Sequence, residues 1–223
     1  MKGAIFDLDG TLINSLIFWN MFWESAGIRY FNKSGFMPSE EDDKAVRTML
    51  LSDAMMLIHE KYKMAKSGEE LIDFCKKSIT DFYGNTVKLK DGVLEFLEYM
   101  KDSGVKMCIA SATEKSLVKL ACERCGIAEY FTDILSCDDI GYGKDRPDIY
   151  REALKRLRTE LSETVVFEDS LIAIKTASAF GLRCVGIYDR FNFGQEEIKA
   201  LSVKYLSENE SYKRFINEKI HTL

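Results

Sequence analysis

At roughly 150 residues per domain, a chain of 223 residues is expected to form one domain with an insertion or two unequal domains. Its 46% hydrophobic, 12% aromatic and 30% charged residues, with 14 Gly and only 2 Pro, exclude a disordered or fibrous chain. Thirty-one Lys and Arg against 36 Asp and Glu leave a net charge of -5, which argues against a nucleic-acid partner, since that needs clustered positive charge on the protein.

The chain opens on Met1-Lys2 and a short β-forming run, Gly3–Phe6, that ends in Asp7. That run is too short for a signal peptide and has no small-residue cleavage site, so a cytoplasmic location is expected. The longest strongly apolar stretch, Leu16–Trp23, is interrupted by Asn20 and falls far short of the roughly 20 residues of a membrane span, so no membrane partner is expected. Some 80 residues then pass before another strand pattern, too long for a simple connection. They carry helical signals: Ala54, Leu57, Ile58 and Lys61 share a period, and a Ser67-x-x-Glu70 capping box opens a segment with Leu71, Phe74, Cys75 and Ser78. An all-helical domain is therefore expected over residues 16–86, inserted into a core formed by 1–15 and 87–223.

From about residue 90 onward strands and helices alternate. Val93, Phe96, Leu97 and Met100 repeat at helical spacing, as do Tyr150, Ala153, Leu154 and Leu157, between the runs Val105–Ala110, Asp133–Ser136, Thr164–Phe167 and Arg183–Ile187. Such alternation predicts an α/β fold, a doubly wound, Rossmann-like parallel sheet covered by helices on both faces. The tail Glu196–Leu223 reads as one or two surface helices. Cys75, Cys108, Cys122, Cys125, Cys137 and Cys184 are scattered and read as reduced thiols, with Cys122-x-x-Cys125 on a core stripe with Val118 and Ala121. The only histidines, His59 and His221, lie far apart, so carboxylates, lysine and hydroxyls must carry any chemistry.

The sharpest feature is Asp7-Leu8-Asp9-Gly10-Thr11-Leu12, directly after the first strand. Alternation puts Asp7 and Asp9 on one side, and Gly10 permits a sharp turn beyond them. Two carboxylates at the end of a buried strand call for a hard divalent cation, most naturally Mg²⁺, unless they only cap the next helix. Ile109-Ala110-Ser111-Ala112-Thr113 ends the second strand just before a helix, so a hydroxyl followed by free backbone N–H groups either forms an anion pocket, or the Ser and Thr serve as ordinary helix caps. Lys144, in Gly141-Tyr142-Gly143-Lys144, is either a solvated charge or a cation that neutralises a phosphate and orients a carboxylate; Arg146 reads as surface. Phe167-Glu168-Asp169-Ser170 ends the fourth strand; its acids either cap the following helix or complete a carboxylate set with Asp7 and Asp9. These four loops belong at the carboxyl ends of one sheet, where ligands of open parallel sheets bind.

In order and spacing the D-x-D-G-T run at Asp7–Thr11, the Ser111 loop, Lys144-x-x-Pro147-Asp148 and Phe167–Ser170 resemble the motifs of the haloacid dehalogenase-like hydrolases. The likeness is to the phosphatase and phosphomutase branch, with a helical cap inserted after the first strand, and it spans nearly the whole chain. The resemblance implies that Asp7 attacks a phosphoryl group to give an aspartyl-phosphate, and that Asp9 protonates the leaving oxygen and then activates water. It implies Mg²⁺ held by Asp7, Asp169 and the backbone carbonyl of Asp9, with Glu168 in or beside that shell, while Ser111, Ala112 and Lys144 grip the phosphoryl oxygens. Its β-phosphoglucomutase-like members tend to carry a His where this chain has Trp19, and Asn14 replaces an Asp common at the cap entrance. A phosphonate-cleaving member would need a Schiff-base lysine in the cap, a role that none of Lys33, Lys44 or Lys61 takes. The expectation is thus a phosphatase acting on a small phosphorylated metabolite, with a sugar phosphomutase and a non-enzymatic phosphate-sensing or partner-binding module as alternatives. Trp19, Phe22 and Trp23 are candidates for cap core or for a roof over the site, and Asn14–Ser15 with Thr86–Lys90 for hinges.

Overall fold

The computed structural model describes every residue except Thr48 and Leu50. The chain forms two compact units, one of Met1–Ser15 with Val87–Leu223 and one of Leu16–Thr86.

The first unit is built on six parallel strands: β1 (Gly3–Phe6), β2 (Lys106–Ser111), β3 (Asp133–Ser136), β4 (Thr164–Glu168), β5 (Arg183–Ile187) and β6 (Lys204–Leu206). Their order is β3-β2-β1-β4-β5-β6, so β1 lies between β2 and β4 and connections diverge to opposite sides of it. Burial on both faces demands apolar side chains at successive positions, and Ala4, Ile5 and Phe6 are fully buried. Alternation sends Phe6 to one face, where it stacks on Phe167 at 4.5 Å between ring centroids and meets Phe96 and Phe131 edge-on. Ile5 faces the other layer, in a core with Tyr150, Ala153, Ile174 and Cys184. The helices Val93–Asp102 and Asp148–Leu157 bury the stripes that the sequence marks out: Val93, Phe96, Leu97 and Met100 in the first, Tyr150, Ala153 and Leu157 in the second. All six cysteines are free.

The tail departs from expectation. It holds a helix, Gln195–Leu201, but also the edge strand β6, and Tyr212 and Phe215 are fully buried against Phe96. A three-residue strand is too short to show a period of its own; pairing with β5 decides its conformation. The two connections to the inserted segment pair antiparallel through Ile13 and Leu89, with the Asn14 N–H donating to the Lys88 carbonyl at 2.9 Å and the Lys90 N–H to the Leu12 carbonyl at 2.9 Å.

The second unit consists of the helices Phe18–Phe31, Glu40–Val46, Leu51–Tyr62 and Gly68–Asp81, closed by a π turn at Phe82–Thr86. Ser67 caps its helix as the capping box predicts, accepting the Glu70 N–H at 3.2 Å, although Glu70 returns its carboxylate to the Lys66 N–H instead. Phe22 and Trp23 are buried among Phe18, Trp19 and Phe74, and the Trp23 indole donates to Asp43 at 2.7 Å. Both belong to the core of the helical unit, while Trp19 keeps partial exposure.

Candidate active site at the carboxyl ends of the strands

Asp7 follows β1 directly, its N–H donating to the Phe167 carbonyl at 2.9 Å, so the strand ladder carries the carboxylate to the sheet edge. Beyond it the chain folds back on itself: the N–H groups of Thr11, Leu12 and Ile13 all donate to the Leu8 carbonyl. This tight loop is possible because Gly10 adopts φ of +82°, a conformation that a side chain would strain. Glu168 closes β4 and Asp169 follows it.

Asp7, Glu168 and Asp169 are each buried, and each offers one carboxylate oxygen within 4.8 Å of the others. The Lys144 ammonium enters this cluster and donates to both Asp7 and Glu168, the latter at 2.8 Å. Burial drives the cost of these charges. It pushes the Asp7 carboxyl up to about 7, with Glu168 and Asp9 adding to the rise and Lys144 opposing it. Asp169 is held well above the usual carboxylate range, again by burial first and then by Asp7 and Glu168. Burial alone would lower Lys144, but the Asp7 and Glu168 carboxylates override it and keep the ammonium protonated.

Asp9 points elsewhere: its carboxylate accepts the Thr113 hydroxyl at 2.7 Å and is not part of the three-carboxylate group. Thr113 is fixed in turn, its N–H donating to the Ser111 hydroxyl at 3.0 Å and its carbonyl accepting from the Ser136 hydroxyl at 2.9 Å. Ser111 is buried at the end of β2, and Ala112 is exposed beside it. Arg146 stays at the surface, paired with Asp148 and lying 3.6 Å from the Tyr142 ring centre.

Helix capping does not account for these residues. The helix Lys115–Cys125 starts behind Glu114, Leu171–Ala179 behind Ser170 and Phe18–Phe31 behind Ile17, each without a side-chain cap. Asp7, Asp9 and Asp169 are bonded instead to Lys144, Thr113 and Thr11, whereas Ser111 accepts the Thr113 N–H and Glu168, besides Lys144, accepts the Asp169 and Ser170 N–H groups at 3.1 and 3.0 Å.

Three contributors carry no signal of their own in the sequence. Thr11 donates to Asp169 at 2.7 Å, the Asn192 amide donates to the same carboxylate, and the Tyr212 hydroxyl holds the Thr11 carbonyl at 2.9 Å. Thr11 at least lies inside the D-x-D-G-T run; Asn192 comes from a segment without a pattern of its own, and Tyr212 from the tail that reads as surface helices.

Comparison with known proteins gives the family. Residues 4–187 match the family described as haloacid dehalogenase-like hydrolase. A phosphorylated carbohydrates phosphatase of Thermotoga maritima is 24% identical over 94% of this chain and 96% of its own. A validoxylamine A 7'-phosphate phosphatase of Streptomyces hygroscopicus subsp. limoneus is 26% identical over 83% and 85%. Among solved structures, a putative β-phosphoglucomutase from Thermotoga maritima superposes with a TM-score of 0.83 at 22% identity, covering all of both chains. CbbY from Rhodobacter sphaeroides, solved in complex with phosphate, gives 0.76 at 21% identity over 96% of each. Among the described residues no helix is long and apolar enough to cross a membrane. With a family match that takes in β1 to β5 and every loop of the carboxylate cluster, the chain belongs to the haloacid dehalogenase-like hydrolases, an enzyme with the fold of the branch that holds β-phosphoglucomutase and CbbY.

Proposed function

We propose that this enzyme is a Mg²⁺-dependent phosphatase that hydrolyses a small phosphomonoester, with a sugar phosphate as the favoured class, through an aspartyl-phosphate on Asp7. The observation that carries the reading is the buried contact of Lys144 with Asp7 and Glu168 beside Asp169, at the edge of the sheet. The names of the two curated phosphatase relatives support the phosphate-ester class and, for the first, a carbohydrate.

The residues fit a divalent cation, because an all-oxygen, all-carboxylate donor set suits a hard ion and poorly suits a soft one. Asp7, Glu168 and Asp169 would hold it by their carboxylates and Asp9 by its backbone carbonyl. When bound, the cation neutralises charge on the phosphoryl oxygens and on the cluster. Lys144 and Ser111, with the Ala112 N–H, orient the phosphoryl group. A carboxylate oxygen of Asp7 attacks phosphorus while the ester oxygen departs with a proton from Asp9, which Thr113 keeps turned away from the cluster. Asp9 then takes a proton from water, the water oxygen attacks phosphorus, and Asp7 is released with inorganic phosphate. The helical unit of residues 16–86 is proposed to serve as the cap that selects the ester, rocking on Asn14–Ser15 and Thr86–Lys90 to exclude water, and the reaction is placed in the cytoplasm.

The deciding experiment gives purified protein and Mg²⁺ a panel of phosphosugars, nucleotides and other phosphometabolites, reading free phosphate and isomer formation side by side. Phosphate release that requires Mg²⁺ is expected. Isomer formation without release would replace hydrolysis by a mutase reaction, and the absence of both would end the proposal.

A second expectation concerns pH. With its carboxyl raised to about 7, Asp7 keeps a proton in the folded chain across a range where the unfolded chain has lost it. Stability in a chelator therefore falls as pH rises from the ordinary carboxylate range through about 7. A cation that replaces the proton reverses this. Mg²⁺ should raise the melting temperature by several degrees at pH 7.5 and by much less at pH 5.5, at roughly 2–4 °C per kcal/mol for a chain of this size. Equal Mg²⁺ shifts at both values in differential scanning calorimetry would refute the coupling.

A further inference from the structure

Asp169 is held at both carboxylate oxygens: Oδ1 accepts the Thr11 hydroxyl at 2.7 Å, and Oδ2 accepts the Asn192 amide, which also donates to the Asp169 carbonyl at 3.2 Å. Asn192 lies on the loop between β5 and the helix Gln195–Leu201, apart from the four motif-bearing loops. That loop is organised around Asp189. The Asp189 carboxylate accepts the Phe191 N–H at 3.0 Å, and its carbonyl accepts the Asn192 N–H at 3.1 Å and the Gln195 amide at 2.9 Å. Gln195 donates also to the Asn192 carbonyl at 3.1 Å and is itself fixed by the Tyr205 hydroxyl at 2.7 Å.

Asp189 is paired with Lys90, whose ammonium lies 3.1 Å from the carboxylate and donates to the Tyr188 carbonyl at 2.7 Å. Their side chains are 8% and 13% exposed. A pair this buried gives up much of its Coulombic gain to desolvation, so its use is better sought in the geometry it imposes. That geometry delivers one carboxamide to one carboxylate. Side chains that hydrogen-bond a metal ligand fix its orientation, and their removal typically weakens metal affinity about 10–100-fold.

We propose that Asn192 is a positioning residue of the carboxylate centre, orienting Asp169 toward a divalent cation, and that the buried Lys90–Asp189 pair holds Asn192 in place. The proposal rests on the reading of Asp169 as a cation ligand. Since Lys90 sits on one of the two connections to the helical unit, its backbone N–H bonded to Leu12, the ligand's orientation is tied to that connection.

The test uses the full chain and Mg²⁺ alone, with binding read by calorimetry and by the Mg²⁺-induced shift in melting temperature. Asn192→Ala is expected to weaken Mg²⁺ binding about 10–100-fold, and Asp169→Asn to abolish it. Lys90→Met should weaken binding in the parent chain and add nothing in the Asn192→Ala background, because it acts through Asn192. In turnover, the Asn192→Ala deficit should shrink as Mg²⁺ is raised, whereas general structural damage would persist at every concentration. Should Asn192→Ala fail to fold, Asn192→Gln, which keeps the carboxamide one methylene out of place, is expected to lose several-fold in Mg²⁺ affinity. Mg²⁺ affinity within twofold of the parent for the folded Asn192 variant, with Asp169→Asn inactive in binding, overturns the positioning role alone. Parental affinity in Asp169→Asn overturns the ligand assignment and this proposal with it.

Discussion

Asp7→Asn is expected to lower phosphate release by about 10⁴-fold or more, because the amide has no carboxylate to form the covalent bond and a group acting in concert with others loses nearly all of its effect when removed. The substitution keeps the shape of the side chain, so the fold should survive. It should in fact melt higher than the parent in a chelator. Three buried carboxylates face one ammonium in this cluster, and Asp7 ionises only against the burial that raises it to about 7. Removing that group relieves a repulsion that, on the proposed mechanism, the cluster tolerates for the sake of its chemistry. Turnover measured with Mg²⁺ and a phosphomonoester, together with a thermal melt, checks both halves. Parental rates in the variant would remove the nucleophile, while a drop in melting temperature would show that Asp7 stabilises the cluster instead of straining it.

Lys144→Met has the opposite signature. The substitution removes the cation from Asp7 and Glu168 while keeping most of the stem's volume, and it leaves two buried carboxylates without a counter-charge, Glu168 keeping only the Asp169 and Ser170 N–H groups. Breaking a buried pair from one side costs about 3–5 kcal/mol, roughly 6–20 °C at 2–4 °C per kcal/mol. The loss should be largest at pH 7.5 in a chelator and shrink toward pH 5, where the orphaned acids take up protons instead. Added Mg²⁺ should recover part of it. Phosphate release should fall by about 10²–10³-fold even at saturating Mg²⁺, the usual cost of one lost donor to a developing anion. A melt indistinguishable from the parent at pH 7.5 would show that the Lys144 contacts carry no weight. Comparing the two variants is informative, because one should gain stability and the other lose it while both lose turnover.

The two variants also separate what can be read locally from what cannot. A strand that ends in Asp-x-Asp-Gly-Thr is legible from period and turn chemistry alone: three buried apolar residues and a glycine where the chain must reverse, although the expectation that both acids share one side fails, since Asp9 turns to Thr113. The sheet strands β1 to β5 and the flanking helices were legible for the same reason, since a buried parallel strand and an amphipathic helix each write their environment into residues two to four positions apart. The inward turn of Lys144 was an open choice in the sequence. Most lysines face solvent, and this one finds its partner 137 positions away. The edge strand β6 and the buried Tyr212 were misread because three residues are too few to set a period and because an aromatic between polar neighbours looks the same on a surface helix as in a core.

The amino-acid sequence by itself thus determined the α/β architecture, the inserted helical segment and the presence of four chemically apt loops. Each of those rests on short-range repetition and on backbone freedom at single residues. Only the tertiary structure decided which of those residues meet. It joined Thr11 to Asp169 across 158 positions, turned Asp9 to Thr113 instead of to the other acids, and brought Asn192 from an unremarked loop onto a carboxylate. The physical reason is that a hydrogen bond between distant segments leaves no pattern in either one. Its partners are chosen by where the packed sheet puts them, and the cost of leaving a buried acid unsatisfied is felt only once the sheet has formed.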